Sequence, residues 1–252
     1  MNENIKKVLR PVYYWTESRF NYFMGLLFPS KIKDFKKIPI IINNRNRLTF
    51  LLQLIKSLEV RGYYNIYIID NNSSYTPLLE YYKKCPYHIF RLDSNVGHLA
   101  LWKTKIYKRF INDFYVYTDP DVVPVEECPD DFLLFFVESL KKHKFAQKVG
   151  FSLKIDDLPD SFSKKKEVIK WERRYFETKA DDQLYLAQVD TTFALYRPWA
   201  NNGANSCVKT FRTAYPYSAR HMPWYIDSSN LPEEEQYYLE HSHTSTHWTK
   251  KK

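Results

Sequence analysis

Asp119-Pro120-Asp121 follows directly on the apolar run Phe114-Tyr115-Val116-Tyr117-Thr118. Two carboxylates at the end of a buried strand can hold a divalent cation on a diphosphate. A hard ion such as Mg²⁺ or Mn²⁺ takes oxygen ligands and keeps positions for phosphate oxygens. Pro120 stiffens the turn and leaves both acids pointing off the strand end. An Asp-x-Asp tripeptide alone is a weak signal because acidic turns are common in solvated loops, so the surrounding elements decide.

Those elements alternate. Ile38-Pro39-Ile40-Ile41-Ile42 predicts a buried parallel strand ending in the polar cluster Asn43-Asn44-Arg45-Asn46-Arg47. Leu48, Leu51, Leu52, Ile55 and Leu58 recur at helical spacing and predict a helix with one apolar stripe, Gln53, Lys56 and Glu59 facing water. Asn65-Ile66-Tyr67-Ile68-Ile69 predicts a second strand, stopped by Asp70-Asn71-Asn72-Ser73-Ser74, whose side chains favour turns. A strand at Tyr87 to Leu92, the turn Asp93-Ser94-Asn95-Val96-Gly97, a helical stretch from His98 to Phe110 and the strand before Asp119 continue the series. This alternation predicts an α/β fold, a Rossmann-like, mostly parallel central sheet with helices on both faces, whose ligand lies beyond the strand carboxyl ends. All four polar clusters then converge on one edge, which argues for a nucleotide. The chain has five glycines and no Gly-rich phosphate loop, so a metal is expected to neutralise the diphosphate.

The stretch Ile38 to Gly97, with its Pro-Ile-Ile-Ile start, Asn-Arg pair, Ile-Ile-Asp-Asn-Asn-Ser turn and Asn-Val-Gly loop, followed by Thr118-Asp119-Pro120-Asp121, resembles the nucleotide-sugar-binding half of family 2 glycosyltransferases. The likeness covers about half of the chain, and the order of four motifs is more specific than any one of them. It implies the GT-A fold with an acceptor-side C-terminal portion. It implies that Asn44 and Asp70 contact the nucleoside, with Arg45 and Asn71 beside them, and that Asn95 and Gly97 border base and ribose. Asp119 and Asp121 would hold Mn²⁺ or Mg²⁺ on the sugar diphosphate. Many members of that family carry Asp-Asp after the second strand where this chain has Asp70-Asn71, so the second position can donate a hydrogen bond as well as accept one.

The second half supplies the candidates for acceptor and base. A helix from Asp130 to Lys142 and a strand from Val149 to Ile155 continue the scaffold, and the charged zone Lys164 to Lys179 reads as a solvated helix or loop that faces the acceptor in the family. Asp190 interrupts the strand-like Gln188 to Tyr196 and is either paired or lines a cavity, making it the candidate catalytic carboxylate, with Asp227 and the run Glu233-Glu234-Glu235 behind it. His221 offers a nitrogen ligand that suits Mn²⁺, and Trp224 a face for a sugar; a structural histidine beside a core aromatic is the competing reading of that pair. Sugar transfer needs a neutralised leaving diphosphate, an acceptor hydroxyl in line and, for inversion, a carboxylate base. No late Glu-Asp or Asp-Asp pair stands out, which leaves inversion and retention both open.

The expectation is therefore a metal-dependent hexosyltransferase taking a nucleotide-sugar donor, a UDP-sugar first, to a glycan or lipid-linked glycan of a surface polysaccharide or lipopolysaccharide. The alternative enzyme is a nucleotidyltransferase, which also uses paired aspartates but normally shows a Gly-rich basic loop after its first strand; Asn43 to Arg47 lacks the glycines. A non-catalytic, basic nucleic-acid-binding protein is the alternative from another class; against it, and against a nucleic-acid partner, many of the 21 tyrosines fall inside apolar strands and the charge does not run along a groove. Cys85, Cys128 and Cys207 are odd in number and match no zinc spacing, which points to a reducing compartment.

The net charge is +9, and residues 1–39 carry eight Lys or Arg against three acids, hence +5 of it. Pro11 can open a helix there, and Phe20, Phe23, Met24 and Leu27 make an apolar stripe. Such a helix either lies on an anionic membrane surface or docks by its stripe on the protein's own core. No apolar run is long enough to span a bilayer and no cleavage site follows, so the expected location is cytoplasmic, with peripheral contact through residues 1–37. Residues 38–240 are expected to form one transferase domain, divided near 125 into donor and acceptor halves, and 241–252 a polar tail with His241, His243 and His247.

Overall fold

The computed structural model describes residues 3–201 and 208–242, with side chains from residue 9. Cys207 and the histidines at 243 and 247 lie outside the described residues. A long helix α1 (Glu3–Leu27) leads into β1 (Ile40–Asn44), α2 (Thr49–Val60), β2 (Ile66–Asp70), α3 (Thr76–Tyr82), β3 (His88–Arg91), α4 (Ala100–Lys103) and β4 (Tyr115–Thr118). Then come β5 (Val122–Pro124), α5 (Phe132–Lys142), β6 (Lys148–Gly150), β7 (Ser152–Leu153), α6 (Lys165–Arg173), β8 (Leu184–Leu186), β9 (Ala194–Tyr196), β10 (Thr210–Thr213), β11 (Ser218–His221) and α7 (Glu233–His241).

The main sheet runs β3-β2-β1-β4-β9-β6-β10-β8, and β5-β11-β7 form a smaller one. In the main sheet the pairs β1–β2, β1–β4, β2–β3 and β6–β10 are parallel, while β9 runs antiparallel between β4 and β6, and β8 antiparallel on β10. Alternate residues of β1 enter separate buried clusters, Ile40 and Ile42 one and Ile41 the other, as a strand buried on both faces requires. Leu51, Leu54, Ile55 and Leu58 of α2 and Phe132 and Phe136 of α5 cover the first face; Ala100, Leu101 and Phe110 cover the second.

Several expected elements change in detail. The stripe of α2 includes Phe50 and Leu54 in place of Leu52, which is 39 % exposed. The stretch from His98 to Phe110 is broken at Lys105, whose φ of 62° ends α4 before a separate 3₁₀ turn over Ile106–Arg109. The expected strand Val149 to Ile155 divides between the two sheets as β6 and β7. Pro11 lies inside α1 and does not open it. No helix among the described residues is long and apolar enough to cross a membrane.

The close antiparallel pairing of β6 with β9 places Gly150 opposite Ala194. A Cβ there would stand 2.7 Å from the Phe193 carbonyl oxygen and 2.7 Å from Val189 Cγ1. Backbone cannot yield as a flexible side chain does, so Gly150→Ala is expected to cost about 1–3 kcal/mol. Chemical denaturation checks this by a lower midpoint at unchanged slope.

Candidate active site

Parallel register brings the ends of β1 and β2 level, Asn44 opposite Asp70, and β4 delivers Asp119-Pro120-Asp121 to the same edge. β5 leaves immediately after Asp121 and pairs antiparallel with β11, His221 opposite Val122, and the Met222 amide donates to the Asp121 carbonyl at 2.8 Å. The small sheet therefore carries His221 to the acidic pair, its Nε2 3.6 Å from Asp121 Oδ2.

The centre of this edge is Arg47. Its guanidinium donates Nη1 to Asp121 Oδ2 and Nη2 to Glu235 Oε2, the latter at 2.9 Å, and all three side chains are less than one-tenth exposed. It also lies over the Tyr238 ring at 3.9 Å. Burial works against the charge on Arg47, but Asp121 and Glu235 outweigh it and hold the guanidinium more firmly protonated than usual. Burial raises the Glu235 carboxyl, with Arg47 opposing. Asp119 accepts from Thr191 Oγ1 at 2.7 Å; burial and then the neighbouring Asp121 push its carboxyl well above the ordinary range. His221 is held below its usual value by burial, which outweighs Asp121.

Helix α7 lies across this edge. Glu234 accepts from the Thr49 amide at 3.0 Å, capping the first turn of α2 where the helix dipole favours an anion. Arg45 donates to the His241 carbonyl at 3.2 Å, Tyr237 to Ser74 Oγ at 3.0 Å, and the Tyr237 ring packs on Tyr75. The loops beneath are tied together. Asn46 adopts a left-handed φ of 54°, and its Oδ1 accepts from the amides of Ser74 and Tyr75 at 2.7 and 3.1 Å. Asn71 donates to the Gly97 carbonyl at 3.0 Å and accepts from the Val96 amide at 2.9 Å, a double role no aspartate can fill.

The remaining sequence candidates fall as follows. Asn44 is fully buried and donates to Tyr82 Oη at 3.0 Å, and Asp70 accepts from the Ser73 amide and from Arg91. Asn95 accepts from the Gly97 amide at 2.9 Å, in a turn where Gly97 has a φ of 83°. Asp190 is exposed just before β9, its charge bearing on Asp119 and on the buried Lys148, whose ammonium burial lowers to about 7 and which donates to the Asp190 carbonyl at 3.0 Å. Asp227 is solvent-exposed and accepts from the amide and hydroxyl of Ser229, a turn cap away from the pair. Trp224 is 3 % exposed in the main core with its ring on His221, so it offers no free face to a sugar. Sequence reasoning did not single out Arg47, and it met Glu235 only as one of three consecutive acids. The loop itself was marked by the polar cluster Asn43 to Arg47, and the second arginine of Arg45-Asn46-Arg47 was the available signal.

Whether these groups fit a divalent cation is decided by unsatisfied oxygens. Asp121 Oδ1, Glu235 Oε1, Asn43 Oδ1 and Asn44 Oδ1 are buried without hydrogen-bond partners. No set of three or more His, Cys, Asp or Glu is arranged to hold a metal among the described residues. The described residues therefore form no protein-only cage for a divalent ion.

No family model matches the chain and no curated protein matches it. Among solved structures the chain is similar to a cytidylyltransferase from Leptospira borgpetersenii serovar Hardjo-bovis, at 14 % identity and a TM-score of 0.34 over 56 % of this chain and 72 % of that one. It is also similar to CMP:2-keto-3-deoxy-manno-octonic acid synthetase complexed with CTP, at 10 % identity and a TM-score of 0.35 over 80 % and 81 %. Both are named for cytidylyl transfer or CMP-sugar synthesis and neither for the sugar transfer expected from the sequence, so the glycosyltransferase expectation is not kept. At such TM-scores the likeness says nothing about this chain's nucleotide or acceptor.

Removing Arg47 leaves two buried carboxylates without their cation. Arg47→Met is expected to lower stability by about 3–5 kcal/mol, and Asp121→Asn added to it to cost less than the sum of the single changes. Denaturant unfolding of the three variants measures both.

Proposed function

We propose that this chain is a nucleotidyltransferase that binds a nucleoside triphosphate with a divalent cation at the carboxyl edge of β1, β2 and β4. The observation that carries the reading is the Arg47 arrangement: a buried cation already rests on Asp121, and the carboxylates of Glu235 and Glu234 already rest on Arg47 and on the start of α2. Each is a stand-in. The guanidinium marks where positive charge is stabilised on Asp121, and the two glutamates mark where phosphate oxygens would be received.

The lack of a Gly-rich loop does not oppose this. Asn46 supplies the left-handed backbone that glycine supplies elsewhere, because its short side chain bonds locally, and Arg45 and Arg47 flank it. In the bound state Arg47 would exchange Glu235 for phosphate, and Asp119 and Asp121 would hold the ion together with phosphate oxygens. Held there by Asp119 and Asp121, such an ion would supply positive charge against the triphosphate and the departing pyrophosphate. An acceptor oxygen attacks the α-phosphorus, the bond from that phosphorus to the bridging oxygen breaks, and pyrophosphate leaves. The acceptor's proton goes to Asp190, the exposed carboxylate whose charge reaches Asp119. We place the acceptor among sugars with a free hydroxyl or acid oxygen, beside Asp190.

Calorimetric titration with CTP, UTP, GTP and ATP, each with and without Mn²⁺, tests the reading. One nucleotide is expected to bind in a metal-linked manner, with a loss in Asp121→Asn at least as large as the roughly 10- to 100-fold typical of weakened metal sites. Pyrophosphate release on adding candidate sugars is expected to depend on the same residue. Absence of metal-linked binding to all four nucleotides would overturn it.

A further inference from the structure

We propose that α1 is a docking helix that lays an outward apolar face on an anionic lipid surface. Surface helices normally bury their apolar stripe and present polar residues to water. Here the order is reversed. The face that meets the body carries Ser18 and Asn21, both buried, with Asn21 Nδ2 donating to Gln147 Oε1 at 2.9 Å and Gln147 Nε2 donating to the Ser18 carbonyl at 3.3 Å. Tyr22 seats beside this polar seam, its ring 5.1 Å from Phe145 and 5.4 Å from the Arg197 guanidinium.

The opposite face is apolar and uncovered. Leu9, Val12, Tyr13, Phe20, Phe23 and Leu27 range from 50 % exposed at Leu9 to 72 % at Leu27. At about 100° per residue they share an arc of roughly 100°. Leu26, 60 % exposed, flanks this arc, whereas Trp15 lies under the Arg19 guanidinium and Phe28, just past the helix, tilts against Trp199. The sequence raised the alternative that the stripe of Phe20, Phe23, Met24 and Leu27 packs on the protein's own core; of the four only Met24 is half-buried and the other three are exposed.

Charge selects the occupant. Eight Lys or Arg against three acids in residues 1–39 give this segment +5. A second copy would bring the same +5 against it, whereas acidic headgroups attract it, each basic side chain near such a surface adding to the attraction. Apolar and aromatic side chains flanked by basic ones describe a helix lying in the interfacial plane, and no described helix is apolar enough to cross the bilayer.

Co-sedimentation of the full chain with vesicles tests this, using phosphatidylcholine alone and phosphatidylcholine mixed with phosphatidylglycerol. Binding is expected to the mixed vesicles, weaker to the neutral ones, and reduced by salt. Phe20→Ser with Phe23→Ser is expected to weaken it at least about tenfold, with an unchanged denaturation midpoint because both side chains are solvent-exposed. Lys31→Glu with Lys33→Glu is expected to weaken binding to the mixed vesicles only. Failure of the parent to bind, or equal binding by the serine variant, overturns the proposal. So does concentration-dependent self-association in sedimentation velocity that the serine variant abolishes while vesicle binding is absent, since that result assigns the face to a second copy.

Discussion

Arg47 is the constraint on which the carboxyl edge depends. A guanidinium this deeply buried persists only because two carboxylates share it, and those carboxylates come from opposite ends of the chain, Asp121 after β4 and Glu235 on α7. Taking three charges out of water is costly, and mutual attraction returns that cost only when geometry and further hydrogen bonds are good. The stacking of Arg47 on Tyr238 and the capping of α2 by Glu234 supply part of that support. What stays unsatisfied is informative: one oxygen on each of the two carboxylates and two asparagine oxygens at the end of β1 have no partner.

The same arrangement explains why α7 belongs to the site and is more than a C-terminal ornament. Its acidic first turn supplies carboxylates to Arg47 and to the start of α2, and its last turn accepts from Arg45. In the proposed reading a bound triphosphate competes for the places these anions occupy. The buried Asp119 gains from any cation that joins the pair, since burial and Asp121 together make its ionised form unfavourable.

Much of this was legible in the sequence, and the failures have physical causes. The β1-α2-β2 unit and the acidic pair at the end of β4 followed from apolar runs, helical spacing and turn residues, which are local signals. The break between β6 and β7 was invisible because it is set by different distant partners, β9 and β10 for β6 and β11 for β7, all more than forty residues away. Arg47 and Glu235 are 188 positions apart, and no periodicity connects them. Trp224 looked available to a sugar because aromatic residues serve cores and ligands alike; only its burial against His221 separates the roles. Asp227 carries the same charge as Asp190, yet its oxygen is committed to Ser229.

The most direct measurement is anomalous diffraction at the manganese edge from a crystal grown with Mn²⁺ and the nucleotide that binds. A peak within coordination distance of Asp121 and Asp119, with Arg47 moved from Glu235 to a phosphate oxygen, is the predicted result. A nucleotide bound with no manganese at this edge, and Arg47 still between Asp121 and Glu235, would contradict the assignment.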